Sequence, residues 1–294
     1  MTTLAQWVEG ARPRTLPAAF SPVLAGTGVA IAEGSFRPAY AALALVVAVA
    51  LQIGVNYAND YSDGIRGTDS ADRIGPFRLV GSGSTPPGRV RAAAFGCFGV
   101  AMLAGLALVV LIGQWWLLAV GAACVLAAWY YTGGRHPYGY LGLGELFVFV
   151  FFGLVAVCGT TYVQVGAVPA AAVWAAVAIG AMACAILVAN NLRDLASDRA
   201  SGKRTLATRL GDRGTRWCYV GLMAVTVVGV VGVAWSSGRW LALLGLIGVV
   251  PVAGSIRAML AGVSGTGLVT VLKNTGLAEL ACSVGLLVGL AIAA

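Results

Sequence analysis

The sequence predicts an all-α polytopic membrane protein. Of its 294 residues, 59% are hydrophobic and only 10% are charged, whereas soluble domains carry about 25% charged residues. The apolar residues form continuous runs of roughly 20, which is the length at which a helix crosses a bilayer. Strands of a membrane barrel would instead alternate apolar and polar residues. No charged linker or low-complexity tract interrupts the chain, so we expect one domain covering residues 1–294.

Nine apolar runs are long enough to be spans. In chain order they cover residues 16–33, 38–58, 92–112, 115–132, 144–163, 169–190, 217–235, 239–257 and 268–292. The first is the least regular, because Pro17 and Pro22 should bend or restart its helix. Polar stretches at 59–91 and 191–216 follow the second and the sixth spans. Their similar placement hints at two pseudo-equivalent halves.

The basic residues predict how the spans are oriented. With nine spans, Arg37 and Arg239 fall on one side and the remaining Lys and Arg residues fall on the other. Cytoplasmic loops are enriched in Lys and Arg, so we expect a cytoplasmic N-terminus and an external C-terminus in the cell membrane. The net charge of +8 therefore reflects topology, and we expect no nucleic-acid partner.

Two further observations concern processing and redox chemistry. Residues 1–15 contain no apolar h-region before the first span, so we expect no cleavable signal peptide. The six cysteines lie singly in apolar segments without C-x-x-C spacing. We expect them to be free thiols that pack in the core.

Two groups of aspartates lie where an apolar run ends in a polar loop. Asp60 and Asp63, followed by Asp69, form the first group, and Asp194 and Asp198 form the second. The chain has only eleven acidic residues in all, and ionisable groups at the edge of a span are expensive and usually functional. Residues three or four apart share a helix face. We therefore expect each pair to present its carboxylates to one cavity.

The residue types in these groups favour magnesium as the ligand. Mg²⁺ binds through a few carboxylates together with waters and substrate phosphates. Zinc is disfavoured, because the chain has a single histidine, His136, and no clustered cysteines. The sequence therefore predicts a magnesium site that takes a phosphate ester.

Basic residues interleave with the aspartates. Arg66 and Arg78 follow the first group, and Arg193 and Lys203 belong to the second. A diphosphate needs positive charge beyond its metals, and Arg and Lys supply it through charge-assisted hydrogen bonds. We expect these four side chains to bind phosphate oxygens, although the enrichment of cytoplasmic loops in basic residues is an alternative reason for their presence.

Other polar residues stand among apolar ones near the ends of the spans. Asn56 could complete the metal shell or hydrogen-bond a neighbouring helix. Glu145 opens the fifth span, where the helix dipole favours an acid; a general-base or substrate-orienting role is the alternative for Glu145 and His136. The candidates for binding a second substrate are Asn56, Tyr131, Arg135, His136, Glu145, Asn190 and Asn191.

Both aspartate groups carry family-specific strings. Asn59-Asp60-x-x-Asp63-x5-Asp69 and Asn191-x-x-Asp194-x3-Asp198-x3-Gly202-Lys203-x-Thr205 resemble the two motifs of the UbiA superfamily of intramembrane prenyltransferases. Three further strings look like the MenA branch, the 1,4-dihydroxy-2-naphthoate polyprenyltransferases: Arg12-Pro13-Arg14-Thr15-Leu16-Pro17, Arg73-Ile74-Gly75-Pro76-x-Arg78 and Lys273-Asn274-Thr275-Gly276. The likeness covers essentially the whole chain. Asp69 comes two positions later than in the superfamily pattern, as it tends to in that branch, and both direct and water-mediated metal binding stay open for it.

The resemblance implies a fold, a reaction and a site. The implied fold is nine helices around a central cavity, and the implied reaction is polyprenyl transfer from a polyprenyl diphosphate to 1,4-dihydroxy-2-naphthoate. Loss of CO₂ would then give demethylmenaquinol in menaquinone biosynthesis. Two Mg²⁺ ions are implied to be held by Asn59, Asp60, Asp63, Asp194 and Asp198. Lys203, Arg193 and Arg66 are implied to neutralise the leaving diphosphate.

Two alternatives stay open at this point. A related prenyltransferase could use another aromatic acceptor such as 4-hydroxybenzoate. A membrane cation transporter would also carry intramembrane acids, but those acids should lie near the middle of the bilayer, whereas these lie at the predicted cytoplasmic ends.

Overall fold

The computed structural model describes residues 2–67, 77–135 and 137–293, and in these ranges the chain forms helices and turns but no strand. The predicted all-α fold is therefore confirmed for the described part of the chain. Asp69 and His136, two of the predicted site residues, lie outside the described residues.

Twelve α-helices occur in the described ranges. They are α1 Leu4–Gly10, α2 Pro17–Ala32, α3 Pro38–Arg66, α4 Pro87–Ile112, α5 Leu117–Tyr130, α6 Gly144–Val148, α7 Gly159–Val165, α8 Ala170–Arg193, α9 Leu195–Ala200, α10 Leu206–Ser237, α11 Val252–Leu260 and α12 Thr266–Ile292. The π-helical stretch Phe149–Cys158 joins α6 to α7, and the 3₁₀ helix Trp240–Val249 precedes α11.

Each of the nine predicted spans falls on a helix or on a joined pair of helices, but fewer than nine meet the criteria for a span. Within the described residues, six helices are long and apolar enough to cross a membrane, and two bent pairs raise the number to eight. The remaining predicted span corresponds to α5, which has only 14 residues. The structure therefore supports a helical membrane bundle without establishing the count of nine.

The predicted irregularity of the first span is confirmed at Pro17. The segment Leu4–Thr15 meets Pro17–Ala32 at an angle of 48°, and Pro17 opens α2. Proline is favoured at the first position of a helix, because its missing N–H would be unpaired there in any case. Pro22 lies inside α2 and does not end it.

Two clusters of buried apolar side chains hold the bundle together. The larger cluster includes Ile179, Tyr219 and Leu286, from α8, α10 and α12. The smaller one includes Tyr57 of α3 and Phe98 of α4. The two clusters lie on different helices, and the helices α2, α3, α4 and α5 contribute to the wall of a cavity described below.

Small residues allow the helices of the larger cluster to approach closely. A methyl group added at Gly229 of α10 would lie 2.7 Å from the backbone nitrogen of Ala178 in α8. Contact between helix backbones is typical of membrane proteins, where packing rather than hydrophobicity joins the helices. The close pairing of α8 with α10 fixes the C-terminal end of α8, from which the second aspartate group projects.

Candidate active site

One aspartate from each group faces the same lysine. Lys203 Nζ lies 3.8 Å from Asp63 Oδ1 and 3.9 Å from Asp198 Oδ1. Arg78 Nη2 lies 3.5 Å from Asp63 Oδ2. The two aspartates and Arg78 are buried, where charges are costly unless they are paired. The structure thus brings together four predicted site residues from distant parts of the sequence.

Asp60, the other acid of the first group, binds the backbone. Its side chain is fully buried, Oδ2 accepts a hydrogen bond from Leu79 N at 2.8 Å, and Oδ1 accepts one from Val80 N at 2.9 Å. These bonds hold the returning loop against α3. Each carboxylate oxygen keeps further acceptor capacity, so the role of Asp60 as a metal ligand stays a prediction.

The predicted helix for the second pair is wrong in one respect. α8 ends at Arg193 and α9 begins at Leu195, with Asp194 between them at φ −90° and ψ 6°. The pair therefore does not share one regular helix, because the helix is interrupted at Asp194. Asp198 N still donates to Asp194 O at 2.8 Å, which keeps the two acids within one turn.

Asp194 is bound by the arginine that precedes it. Arg193 Nε and Nη2 donate to the two oxygens of Asp194 at 2.8 and 2.7 Å, and Nη2 also donates to Asn190 Oδ1 at 2.8 Å. A bidentate pair of this kind is among the stronger hydrogen-bonded contacts in proteins. Arg193 was predicted to bind diphosphate, and in this arrangement its guanidinium orders the second aspartate group.

Asn59 and Arg66 connect α3 to the turn that follows α5. Asn59 Oδ1 accepts a hydrogen bond from Thr132 Oγ1 at 2.7 Å. The guanidinium of Arg66 donates to the carbonyl oxygens of Thr132 and Gly134. Both side chains thus contact the loop beside the lysine, and the predicted metal and phosphate contacts stay predictions.

Three of the predicted acceptor residues lie close together. Asn191 Nδ2 donates to Glu145 Oε1 at 2.9 Å, which joins the start of α6 to the end of α8. The Tyr131 ring packs edge-on against Tyr138 with centroids 5.5 Å apart. Arg135 is exposed. A methyl group added at Gly144, next to Glu145, would lie 3.6 Å from the Tyr131 hydroxyl, so Tyr131 lies beside Glu145 and its partner Asn191.

Tyr140 is a site residue that the sequence analysis missed. Its hydroxyl donates to Asp63 Oδ1 at 2.6 Å, and its ring centroid lies 4.5 Å from Lys203 Nζ and 5.4 Å from Arg66 Cζ. Its carbonyl oxygen accepts a hydrogen bond from Arg204 N at 3.0 Å. Tyr140 therefore connects the two aspartate groups, and a tyrosine in a short loop carries no sequence signal for such a role.

Tyr138, two residues earlier, contributes to the shape of this loop. Its hydroxyl donates to Ala127 O at 2.8 Å, and its ring stacks on Phe147 with centroids 4.0 Å apart. Burial raises the pKa of the Tyr138 phenol well above its usual value. The hydroxyl is therefore neutral and serves as a hydrogen-bond donor.

An apolar cavity adjoins the polar cluster, which consists of Asp63, Arg78, Asp198 and Lys203. It has a volume of about 610 Å³ and lies between α2, α3, α4, α5 and the π-helical stretch. Its wall is mostly aliphatic and aromatic, with Gln52, Asn56 and Asn59 of α3 among its few polar residues. Asn59 precedes Asp63 by about one helical turn. The cavity therefore offers space for a hydrocarbon beside a charged site.

The donor set suits a metal ion that binds together with a phosphate. Among the residues that the structure describes, no group of three or more His, Cys, Asp or Glu side chains could hold a metal ion. Asp63 and Asp198 nevertheless converge on Lys203 as a pair. Mg²⁺ commonly uses one or two carboxylates and completes its shell with phosphate oxygens and water. The pair therefore fits magnesium that arrives with a diphosphate.

Sequence comparison places the chain among prenyltransferases. Residues 19–268 match the UbiA prenyltransferase family. A 1,4-dihydroxy-2-naphthoate octaprenyltransferase from Mycobacterium tuberculosis is 53% identical, and the match covers 95% of this chain and 94% of that protein. The octaprenyltransferase of the same name from Escherichia coli is 41% identical, with 76% and 74% of the two chains covered.

Solved structures share the architecture. The apo structure of a UbiA homolog from Aeropyrum pernix K1 gives a TM-score of 0.65 at 18% identity, with 94% of this chain and 97% of that chain covered. A UbiA homolog from Archaeoglobus fulgidus bound to DMAPP and Mg²⁺ gives 0.64 at 15% identity, with 96% and 99% covered. At these identities the similarity establishes the fold.

Proposed function

The chain belongs to the UbiA prenyltransferase family, and we propose that it transfers a polyprenyl group from a polyprenyl diphosphate to 1,4-dihydroxy-2-naphthoate. The products are CO₂, diphosphate and demethylmenaquinol, an intermediate of menaquinone biosynthesis. The observation that carries the proposal is the convergence of Asp63 and Asp198 on Lys203 beside an apolar cavity. The activity named for the relatives that are 53% and 41% identical supports the choice of acceptor.

In this proposal the polar cluster binds the diphosphate. Lys203 and Arg78 donate to its oxygens, and Arg66 and Arg193 add positive charge around it. Mg²⁺, when bound, would offset the charge of the leaving diphosphate. We propose two ions, and the proposed ligands are Asn59, Asp60, Asp63, Asp69, Asp194 and Asp198.

The reaction then proceeds by ionisation of an allylic ester. The C–O bond breaks and its electron pair leaves with the diphosphate. The polar cluster stabilises the negative charge that develops on the diphosphate. The allylic cation is attacked by the ring carbon that bears the carboxylate, and loss of CO₂ restores the aromatic ring. The apolar cavity around the isoprenoid excludes water, which would otherwise capture the cation.

The residues around the acceptor are proposed from their positions near the cavity and the cluster. Asn56 and Tyr131 line the cavity, and Glu145 is held by Asn191. The full proposed set for binding and orienting the acceptor is Asn56, Tyr131, Arg135, His136, Glu145, Asn190 and Asn191.

We propose that the whole chain, residues 1–294, is one domain in the cell membrane with nine spans. The helix pairs bent at Pro17 and between Val249 and Val252 each count as one span, and α5 counts as a short one. The N-terminus is then cytoplasmic and the C-terminus external, and the polar cluster faces the cytoplasm. The asymmetric distribution of Lys and Arg supports this orientation.

Product mass spectrometry tests the proposal. Purified protein would receive 1,4-dihydroxy-2-naphthoate, Mg²⁺ and polyprenyl diphosphates of several lengths. We expect a product in which the prenyl group replaces the carboxyl group, so that its mass equals the acceptor plus the prenyl group minus CO₂ and one hydrogen. It should form only when Mg²⁺ is present. In a parallel reaction 4-hydroxybenzoate replaces the naphthoate.

The outcomes of this experiment are distinct. A prenylated product that retains the carboxyl group, or product from 4-hydroxybenzoate alone, would refute the proposed acceptor chemistry while leaving prenyl transfer in place. If no prenylated product forms and the protein instead carries Mg²⁺ across the membrane of proteoliposomes, the proposal that the protein is a prenyltransferase is refuted.

A further inference from the structure

One buried oxygen of a residue that lines the cavity has no hydrogen-bond donor. Gln52 of α3 lines the cavity and is only 8% exposed. No described residue donates a hydrogen bond to its Oε1. Burying an amide carbonyl without a donor is unfavourable, and buried polar groups in proteins are nearly always satisfied. An unsatisfied oxygen on a residue that lines the cavity therefore points to a ligand.

The orientation of the Gln52 amide follows from its neighbours. Thr15 Oγ1 donates its single hydrogen to Arg12 O at 2.9 Å. It can then only accept, and it does so from Gln52 Nε2 at 3.0 Å and from Asn56 Nδ2 at 2.9 Å. A hydroxyl has two acceptor sites, so these contacts satisfy Thr15.

Asn56 confirms the same orientation from the other side. Its Nδ2 also donates to Ala11 O at 2.9 Å, and a carbonyl oxygen requires a donor. The oxygen of Asn56 then faces Gln52 Nε2 at 3.5 Å. Exchanging O and N of Gln52 would place two acceptors against each other at Thr15. The network therefore leaves Gln52 Oε1 as the atom without a donor.

The position of Gln52 along α3 places it between the polar cluster and the interior of the cavity. Gln52, Asn56, Asn59 and Asp63 follow one another at intervals of four, three and four residues, so they lie on one stripe of the helix. At about 1.5 Å per residue, Gln52 is about 16 Å along the axis from Asp63. A diphosphate at Asp63 and an aromatic ring beyond its allylic carbon would fit within this interval.

We propose that Gln52 Oε1 accepts a hydrogen bond from a ring hydroxyl of the aromatic acceptor and so helps to select a hydroxylated ring. This inference rests on the proposed prenyl transfer, and it assigns one wall of the shared cavity to the acceptor. Gln52 is a positioning and specificity residue in this role, because it holds the ring for attack on the allylic carbon.

The chemistry of the oxygen separates the candidate occupants. An isoprenoid tail has no hydrogen-bond donor, so a cavity filled with hydrocarbon alone would leave Oε1 unsatisfied. A carboxylate is an acceptor only, so its oxygens would repel Oε1. A phenolic hydroxyl donates a hydrogen bond and brings an apolar ring that suits the rest of the wall.

Equilibrium binding to the detergent-solubilised protein tests the inference without catalysis. Gln52→Met keeps the length of the side chain and removes the amide. We expect 1,4-dihydroxy-2-naphthoate to bind about tenfold more weakly to this variant, as calorimetry would measure, since one hydrogen bond to a buried group is lost. The affinity for a polyprenyl diphosphate with Mg²⁺ should stay within about twofold.

A matched variant and two ligands make the result specific. Leu51→Met alters a neighbouring residue of the cavity wall, and we expect it to retain affinity for the acceptor. Analogues 1-hydroxy-2-naphthoate and 4-hydroxy-2-naphthoate each lack one hydroxyl. The analogue that lacks the hydroxyl bound by Gln52 should bind the wild-type protein and Gln52→Met equally well, whereas the other should still lose about tenfold.

Several results would overturn the inference. Unchanged acceptor affinity in Gln52→Met would mean that a water, or nothing, satisfies the oxygen. Equal weakening of both analogues, or an equal effect of Leu51→Met, would mean a change in cavity shape. If the tenfold difference is found but no prenylated product forms, the proposed function fails and the acceptor contact stands. A wild-type protein that does not bind the naphthoate contradicts both.

Discussion

The two aspartate groups look alike in sequence but are built differently. In the first, Asp60 accepts hydrogen bonds from two backbone amides, Leu79 N and Val80 N, and so anchors a loop. In the second, Asp194 is bound by a charged side chain, the guanidinium of Arg193. Asp63 of the first group and Asp198 of the second both face Lys203.

This difference shows that aspartates at similar positions in the sequence have different structural roles. Asp60 and Asp194 each hold their own segment in place. Asp63 pairs with a lysine of the other segment, and Asp198 pairs with the same lysine within its own segment. The first group is held by neutral amides and the second by a cation, so the two should respond differently to loss of a negative charge. The substitutions below test that division, from the largest expected effect to the smallest.

The largest effect is expected at the acids that face the lysine. Asp63→Ala and Asp198→Ala should each lower kcat/KM for prenyl transfer by about 100-fold to 1000-fold, because a preorganised charged group at the leaving diphosphate is lost. Glu33→Ala, which removes an exposed acid after α2, serves as the control in the same steady-state assay. Near-normal activity in either aspartate variant would exclude that residue from the site.

A somewhat smaller loss is expected at the lysine between the two groups. Lys203→Met should lower kcat/KM by about 100-fold, and Lys203→Arg should restore part of the activity, since it returns the charge with a different geometry. The exposed Arg213 provides the control Arg213→Met, which should retain activity. A Lys203→Met enzyme as active as that control would contradict the role assigned to the cluster.

The two anchoring acids should differ in stability. Asp60→Asn turns one buried acceptor into a donor against a backbone N–H, which should lower the free energy of unfolding by about 1–3 kcal/mol. Asp194→Asn also turns one acceptor into a donor, here against a guanidinium N–H, and it leaves the charge of Arg193 without its counter-ion. This variant should therefore cost more, about 3–5 kcal/mol. Melting curves in detergent measure both, and a larger fall for Asp60→Asn would reverse the comparison.

The smallest effect is expected at Tyr140, which joins the groups. Tyr140→Phe removes the hydrogen bond to Asp63 and keeps the ring beside Lys203, so kcat/KM should fall about fivefold. Tyr140→Leu also removes the cation–π contact and should fall further, by another factor of about three. Tyr138→Phe is the matched control, since that hydroxyl binds Ala127 O. Equal effects at positions 138 and 140 would indicate that the substitutions change the conformation of the loop, and would contradict a specific role for the Tyr140 hydroxyl.

Much of the architecture follows from the sequence because the bilayer constrains it. Long apolar runs have few alternatives to membrane helices, and the predicted ranges fall on helices of the structure. Pro17 marks the predicted bend because a proline cannot continue the hydrogen-bonding of a helix. The π-helical stretch Phe149–Cys158 was not predicted, since its apolar residues have the composition of an ordinary span.

The site could be predicted in its residue types but not in its contacts. Spacing placed Asp60 and Asp63 together, yet their different partners depend on a loop that returns to α3 at Leu79. The interruption between α8 and α9 at Asp194 depends on the local backbone conformation, which spacing does not encode. Gln52 did carry a signal that was passed over, because an amide inside an apolar run usually hydrogen-bonds across helices.

The central claim is that Asp63 and Asp198 belong to one site that acts as a unit, and a double-mutant cycle tests it most directly. Asp63→Asn, Asp198→Asn and the double variant would be compared by the rate constant for prenyl transfer under single-turnover conditions. Residues that act together are strongly non-additive, so the double variant should lose little more than the worse single variant. If the two losses multiply instead, the aspartate groups act independently and the shared site is refuted.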